Sequence, residues 1–137
     1  VYGDGSNVRD WLFVDDHAAA LVAVLERGQI GETYAIGGRQ PRTNLEVVKA
    51  ICAHLDRRVP DAAGPRERLI RFVTDRPGHD FRYEIDPTRT EAALSWKAPH
   101  DFERGLARTI DWYLDNRAWW EGVRAARYAG QRLGTAA

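Results

Sequence analysis

Residues 8–28 read VRDWLFVDDHAAALVAVLERG, and this stretch decides the fold class. Residues 10–14 are aromatic and β-branched, which predicts a short strand. The acidic pair at 15–16 is typical of an N-cap and the first turn of a helix. Residues 17–27 are apolar on almost every side, so we expect a helix that is covered on most of its surface. Gly28 follows as the predicted helix stop. A strand that leads directly into a helix indicates an α/β architecture.

The same alternation continues downstream. Residues 33–36 and 69–73 predict two further strands, and the alternating residues Phe81, Tyr83 and Ile85 predict a short extended segment. Thr43 and Glu46 have the spacing of a capping box. The helix that they introduce presents one apolar face with clean helical spacing: Leu45, Val48, Ile51, Cys52 and Leu55.

The C-terminal third is predicted to be helical. Asp86-Pro87 indicates a helix start, and this short helix is expected to end near Ser95. A longer helix is predicted over residues 102–116, with five inward side chains: Phe102, Leu106, Ile110, Tyr113 and Leu114. A last helical stretch contains Trp119, Trp120 and Val123. We expect residues 127–137 to form a flexible tail.

Composition excludes several classes of protein. The 137 residues carry 20 basic and 20 acidic side chains, which argues against a nucleic-acid-binding surface. No apolar run approaches the length of a membrane helix, so we expect no membrane partner. The one cysteine, Cys52, excludes an intramolecular disulfide framework and is expected to be a small buried hydrophobic residue of a cytoplasmic protein.

No complete catalytic set is present in the sequence. There is no glycine fingerprint for a dinucleotide after a strand and no phosphate loop with Gly-Lys-Ser/Thr. None of the five tyrosines has a lysine four residues later, and the four histidines share no metal-ligand spacing. The chain begins at Val1 and contains no methionine, so we expect it to be a piece of a longer protein.

Two segments carry residues suited to binding an anion. Residues 2–11 join a glycine turn to Arg9, beside the predicted strand. Residues 75–80 read DRPGHD and offer Arg76 and His79 after another predicted strand. A glycine turn lets a ligand approach the backbone, and arginine contacts phosphates bidentately. On spacing alone, structural turns with surface ion pairs are equally compatible with both segments.

These segments resemble the extended short-chain dehydrogenase/reductase family. The resemblance rests on Gly3-Asp4-Gly5, on residues 8–17 and on residues 31–38, GETYAIGG. Residues 44–48 and above all residues 75–83, DRPGHDFRY, are similar to the dTDP-glucose 4,6-dehydratases within that family. The resemblance spans about residues 1–125. The family usually has asparagine in place of Ala35 and glycine in place of Ser95.

The resemblance implies a fold and a reaction. Residues 1–126 would form the C-terminal, nucleotide-sugar-binding lobe plus the last elements of an NAD-binding Rossmann fold, without the N-terminal NAD-binding domain. The complete enzyme would convert dTDP-glucose to dTDP-4-keto-6-deoxyglucose with NAD, as a cytoplasmic homodimer. Its catalytic tyrosine-lysine pair and its acidic dehydration residues would lie N-terminal to this chain, so the isolated chain is expected to be inactive.

The resemblance also implies the substrate-binding residues, namely Val1, Tyr2, Gly3, Arg9, Asn44, Asp75, Arg76, Pro77, Gly78 and His79. Two alternatives stay open at this point. One is another nucleotide-sugar epimerase or decarboxylase of the same family. The other is a non-catalytic interaction module that uses residues 18–25 and the pair Trp119-Trp120 as a partner surface.

Overall fold

The structure is a computed structural model that describes residues 1–127, so the predicted flexible tail at 127–137 lies almost entirely outside the described residues. The elements follow the α/β alternation expected for this fold class. In chain order they are β1 (Val8–Asp10), α1 (Val14–Arg27), β2 (Pro41–Thr43), α2 (Asn44–Arg58), a 3-10 helix (Arg66–Leu69), β3 (Arg82–Tyr83), α3 (Thr88–Leu94), α4 (Phe102–Asp115) and α5 (Arg117–Arg127).

The three strands form one small mixed sheet in the order β2-β1-β3. Strand β1 is central: Val8 pairs with Thr43 of the antiparallel β2 and with Arg82 of the parallel β3. This register brings the start of β1, the start of β3 and the end of β2 to the same edge of the sheet. The turn before β1, the segment before β3 and the first residue of α2 therefore meet at that edge.

Helix α1 begins earlier than the sequence predicts, at Val14, and the strand predicted over residues 10–14 lies instead at Val8–Asp10. Phe13 is the N-cap, without a side-chain capping bond. Because the helix begins at Val14, Asp15 and Asp16 lie in its acidic first turn, as predicted, but neither is the N-cap; the Asp16 carboxylate accepts hydrogen bonds from His100. Asp16 is thus in the first turn and buried.

Two predicted strands are absent from the described residues. Residues 33–36 have no regular structure, because no described strand lies beside them to complete a ladder. The strand predicted over residues 69–73 is replaced at its start by the 3-10 helix, and only Val73 forms a bridge, with Tyr2. Arg66 fixes the 3-10 helix to the end of α2, since its backbone amide and its guanidinium both donate to Asp56, at 2.9 and 2.8 Å.

The capping box at the start of α2 is confirmed. The amide of Glu46 donates to Thr43 Oγ1 at 3.1 Å, and the amide of Thr43 donates to Glu46 Oε2 at 2.6 Å. The buried side chains of α2 are Val47 and Cys52. The predicted apolar face is therefore rotated slightly, with Val47 rather than Val48 most deeply buried.

The short helix α3 begins one residue later than predicted, after the N-cap Pro87, while the Asp86 carboxylate accepts from the backbone amide of Thr88 at 3.0 Å. It ends at Leu94, and its C-cap Ser95 has a φ of 46°, in the left-handed region that favours glycine. Ser95 is the position at which the family resemblance leads us to expect glycine.

Helices α1 and α4 each bury one face. Ala20 and Ala23 of α1 are buried, but the opposite face, with Leu21, Val22 and Leu25, is exposed. The covering expected for that face is absent among the described residues. In α4, Phe102 and Ile110 are buried as predicted, whereas Tyr113 is half exposed and so was wrongly placed inward. Within residues 1–127, no helix has the length and apolar character needed to cross a bilayer.

Candidate functional site

The two segments singled out in the sequence lie side by side. The backbone nitrogen of Val1 donates to the carbonyl of Arg71 at 2.6 Å, and the amide of Val73 donates to the carbonyl of Val1 at 2.8 Å. The amide of Gly3 then donates to the carbonyl of Val73 at 2.9 Å. These backbone bonds join residues 1–3 to the start of the DRPGHD segment, which is the convergence that a shared binding site requires.

Gly3 and Gly5 allow this close approach. Gly3 has φ +55°, and a Cβ built there would lie 3.2 Å from Asp75 Oδ2. Gly5 has φ +79°, and a Cβ there would lie only 2.9 Å from Leu45 Cβ. The turn therefore needs glycine both for its backbone conformation and for its contacts with Asp75 and with the first turn of α2.

Asp75 and His79 form an ordered pair inside the segment. His79 Nδ1 lies 2.7 Å from Asp75 Oδ1, which also accepts the amide of Arg76 at 2.8 Å. The hydrogen bond from His79 lowers the pKa of Asp75, with smaller lowering contributions from the amide and charge of Arg76. The His79 side chain is only 6% exposed, and its ring meets the edge of the Tyr2 ring. Asp75 thus holds the imidazole against the N-terminal turn.

Arg76, Pro77 and Gly78 form the exposed tip of the segment, and Gly78 has φ +67°. The Arg76 guanidinium makes no ion pair with any residue in the described range 1–127, although an aspartate precedes it. Most arginines of the described chain, such as Arg39 and Arg66, are held by carboxylates. Arg76 is therefore an exposed cation that is available to an anionic ligand.

Arg9 is more constrained than the sequence suggests. Its Nη1 donates to the carbonyls of Val8 and Phe81 at 2.6 and 3.4 Å, and its Nη2 donates to the carbonyl of Asp80 at 2.8 Å. These bonds anchor the end of the DRPGHD segment to β1. Within the described part of the chain, Nε–H and one Nη2–H have no hydrogen-bond partner, so Arg9 keeps donors for a ligand while also supporting the fold.

Asn44 also lies at this edge of the sheet, at the start of α2. It is the first residue of α2, and its amide donates to the carbonyl of Asn7 at 2.9 Å. The neighbouring amide of Leu45 donates to the carbonyl of Gly5 at 3.0 Å. The start of α2 is therefore bonded to the glycine turn, and the half-buried Asn44 lies at its border.

Three further residues complete the arrangement and were not among the predicted site residues. Asn7 Nδ2 donates to the carbonyl of Asp80 at 3.3 Å, the Tyr83 hydroxyl donates to the Asp80 carboxylate, and the Tyr83 ring stacks on Arg9. The sequence indicates Tyr83 only as part of a predicted extended segment and of the family resemblance. Its role depends on strand register, which the sequence pattern does not specify.

A groove of about 610 Å³ lies elsewhere, between residues 11–15 and helices α4 and α5. It is lined by aromatic side chains that include Trp11, Phe13, Trp112 and Trp119, and by none of the predicted binding residues. Trp119 is 59% exposed, whereas Trp120 Nε1 donates to the carbonyl of Tyr113 at 2.8 Å. The cation in its lining, Arg108, is engaged by Asp15 and by His100, whereas Arg76 makes no ion pair within residues 1–127, so the edge described above is the better candidate.

The chain is similar in sequence to known dehydratases. The family model described as GDP-mannose 4,6 dehydratase matches residues 1–109. A dTDP-glucose 4,6-dehydratase of Xanthomonas campestris is 53% identical over 98% of this chain, and one of Escherichia coli is 50% identical over 98%. The chain spans 38% of the length of each of these curated relatives.

A solved structure agrees with these relatives. The dTDP-glucose 4,6-dehydratase of Bacillus anthracis, solved in complex with NAD, superposes with a TM-score of 0.77 at 41% identity. The superposition covers 90% of this chain and 36% of that protein.

Proposed function

The chain belongs to the GDP-mannose 4,6 dehydratase family, and we propose that it forms the nucleotide-sugar-binding part of a dTDP-glucose 4,6-dehydratase. Relatives that are about 50% identical to this chain over nearly its whole length carry that name. Residues 1–126 would constitute this part. The complete enzyme would convert dTDP-glucose to dTDP-4-keto-6-deoxyglucose, and the closest alternative is an epimerase or decarboxylase acting on another nucleotide sugar.

The observation that carries the proposal is the meeting of the glycine turn with the DRPGHD segment at one edge of the sheet. A nucleotide sugar presents a diphosphate, which needs positive donors and close backbone approach. Arg76 offers an exposed guanidinium, and Arg9 keeps free N–H groups. Asp75, which would repel a phosphate, is already engaged by His79 and by the amide of Arg76. The edge can therefore receive an anion in spite of its carboxylates.

The predicted residues take different parts in this arrangement. We assign contact with the diphosphate to Arg9 and Arg76, and a hydrogen bond at the start of α2 to Asn44. His79 would offer its Nε2 side, since Nδ1 faces Asp75. Five residues would shape the site through their backbone: Val1, Tyr2, Gly3, Pro77 and Gly78.

NAD belongs to the proposal at the level of the complete enzyme, where it would supply the hydride-transfer chemistry. The residues described here do not fit a dinucleotide, because no glycine fingerprint connects a strand to a helix in the sequence. We assign substrate binding alone to this chain. A homodimer and a cytoplasmic location are further parts of the proposal, supported by the resemblance and, for the location, by the free, buried Cys52.

The proposal is tested by substituting Arg76 in the complete enzyme. Arg76→Ala removes an exposed cation whose side chain makes no ion pair within residues 1–127, so we expect dTDP affinity to fall by about tenfold to a hundredfold, with little change in melting temperature. Arg9→Ala should weaken binding similarly but also lower the melting temperature, because three backbone carbonyls each lose one donor. Isothermal titration calorimetry with dTDP measures the affinity.

Arg89→Ala is the matched control, since Arg89 is exposed and its ion pair within the described residues is with Glu32. It should leave dTDP affinity unchanged. Unchanged affinity in the Arg76 and Arg9 variants would show that the two arginines are structural. Stronger binding of UDP than of dTDP, or a product that retains its C6 hydroxyl, would favour the epimerase alternative.

A further inference from the structure

Tyr83 is the aromatic partner of Arg9. The Arg9 guanidinium carbon lies 4.6 Å from the centroid of the Tyr83 ring, which is within cation–π distance. The contact follows from the sheet, because Arg9 and Tyr83 are paired residues of the parallel strands β1 and β3. The strand register therefore places the Tyr83 ring beside the Arg9 guanidinium.

The Tyr83 ring is itself fixed at its far end. Its hydroxyl donates to the Asp80 carboxylate, and this hydrogen bond raises the pKa of Tyr83, so the hydroxyl remains a donor. Asp80 also accepts Arg9 Nη2 through its backbone carbonyl at 2.8 Å. Arg9, Asp80 and Tyr83 form a closed set of contacts, in which one face of the guanidinium is covered and part of its edge is occupied.

Core packing does not account for Tyr83. Tyr83 is 54% exposed and lies in a strand of only two residues. Its described contacts are those with Arg9 and Asp80. An exposed tyrosine whose contacts converge on one arginine is suited to hold that arginine in a single orientation, which reduces the conformational entropy lost when a ligand binds.

We propose that Tyr83 is a positioning residue for the nucleotide sugar, acting through Arg9. The ring and the backbone carbonyls hold the guanidinium so that its remaining N–H groups, on Nε and Nη2, are directed at the diphosphate. The guanidinium is planar, so bidentate contact with a phosphate requires that its plane be held in one orientation. This inference rests on the proposed function, because it takes the diphosphate as the ligand of Arg9.

A double-mutant cycle in the complete enzyme tests this role, with dTDP as the probe in isothermal titration calorimetry. Tyr83→Leu should weaken dTDP binding by about tenfold. Tyr83→Phe keeps the ring and should recover most of that loss. In the Arg9→Ala background, Tyr83→Leu should have no further effect, because the residue through which Tyr83 acts is gone.

Phe72→Leu is the matched control, since Phe72 is also an exposed aromatic residue, at 56%, and has no described contact with Arg9. It should leave dTDP affinity unchanged. Equal affinity of the wild-type and Tyr83→Leu proteins would overturn the inference. So would a loss that persists in full in the Arg9→Ala background, which would mean that Tyr83 contacts the ligand directly or acts on the fold. Failure of the wild-type enzyme to bind dTDP at all would instead overturn the proposed function.

Discussion

Asp16 and His100, 84 positions apart, are joined by two hydrogen bonds in the interior of the molecule. The Asp16 carboxylate accepts from the backbone amide of His100 at 3.1 Å and lies 2.7 Å from its Nδ1. On the other side of the ring, His100 Nε2 lies 2.9 Å from Arg108 Nη1. Since a guanidinium only donates, Nε2 accepts and the proton resides on Nδ1. The pair ties the first turn of α1 to the loop that precedes α4.

Loss of the Asp16 carboxylate should destabilise the protein strongly. Asp16→Ala leaves two partly buried N–H donors of His100 without their acceptor, and we expect the free energy of unfolding to fall by about 1–3 kcal/mol. Urea denaturation followed by circular dichroism measures the change. Asp15→Ala is the control, because Asp15 is exposed and lies 3.4 Å from Arg108, so its loss should cost at most about 1 kcal/mol. Equal effects of the two substitutions would contradict the structural role of Asp16.

The capping box of α2 should make stability dependent on pH. The hydrogen bond from the amide of Thr43, followed by that from its hydroxyl, lowers the pKa of Glu46 below its ordinary 4.5. A lowered folded-state pKa means that the stabilisation is fully present above the unfolded value and is lost as the pH falls through the folded value. Glu46→Gln should therefore lower the melting temperature at neutral pH, and the difference should shrink below pH 4.5.

Melting curves of the wild-type and Glu46→Gln proteins across the acidic range provide the measurement. Glu26→Gln is the control, since Glu26 is exposed and makes only a 3.5 Å contact with Arg27. Its difference from wild type should be small at every pH. A Glu46→Gln difference that is as large in acid as at neutral pH would show that the carboxylate charge does not contribute.

Local features of the fold could be predicted from the sequence, and long-range pairings could not. The capping box depends on residues only three positions apart, so Thr43 and Glu46 suffice to specify it. The strand predicted at 33–36 depends on a neighbouring strand, and none is present among residues 1–127. A strand's hydrogen bonds are made with another segment, so apolar alternation alone does not determine whether a ladder forms.

The same difference between local features and long-range pairings applies to the candidate site. Arg9 and Arg76 were found from residue type and from a turn nearby, which are local signals. The restriction of Arg9 by three carbonyls, and the stacking of Tyr83 on it, depend on the parallel register of β1 and β3. The link between Asp16 and His100 joins two distant turns for which no motif exists. These residues were missed because their chemistry arises only when the chain is folded.

The exposed face of α1 predicts that the isolated chain self-associates. Leu21, Val22 and Leu25 are 49, 51 and 86% exposed, and together they form an apolar patch on one helix. Replacing all three with glutamine should shift the chain from oligomers to monomer, with unchanged helical circular dichroism. Size-exclusion chromatography with light scattering measures the mass. Leu69→Gln, at a residue 59% exposed outside this helix, should leave the association unchanged. A wild-type chain that remains monomeric on concentration would contradict the prediction.

Two helical glycines should respond oppositely to alanine. A Cβ on Gly105 in α4 would lie 2.9 Å from Phe13 Cβ and 3.3 Å from Phe13 Cγ, closer than carbon atoms pack. Phe13 cannot withdraw freely, because its ring also packs against His100, with centroids 5.0 Å apart, and against the guanidinium of Arg108 at 4.9 Å. Gly105→Ala should therefore separate α4 from the segment before α1 and destabilise the protein by about 1–3 kcal/mol.

Gly122 in α5 is the matched position, since a Cβ there would meet nothing within 4 Å. Gly122→Ala gains the intrinsic helix preference of alanine without a steric cost, and it should stabilise the protein by up to about 1 kcal/mol. Thermal melting of both variants separates steric from conformational effects, because the chemical change is identical. Stabilisation by Gly105→Ala would mean that Phe13 does not pack against α4 as described. Destabilisation by Gly122→Ala would mean that the outer face of α5 is covered in solution.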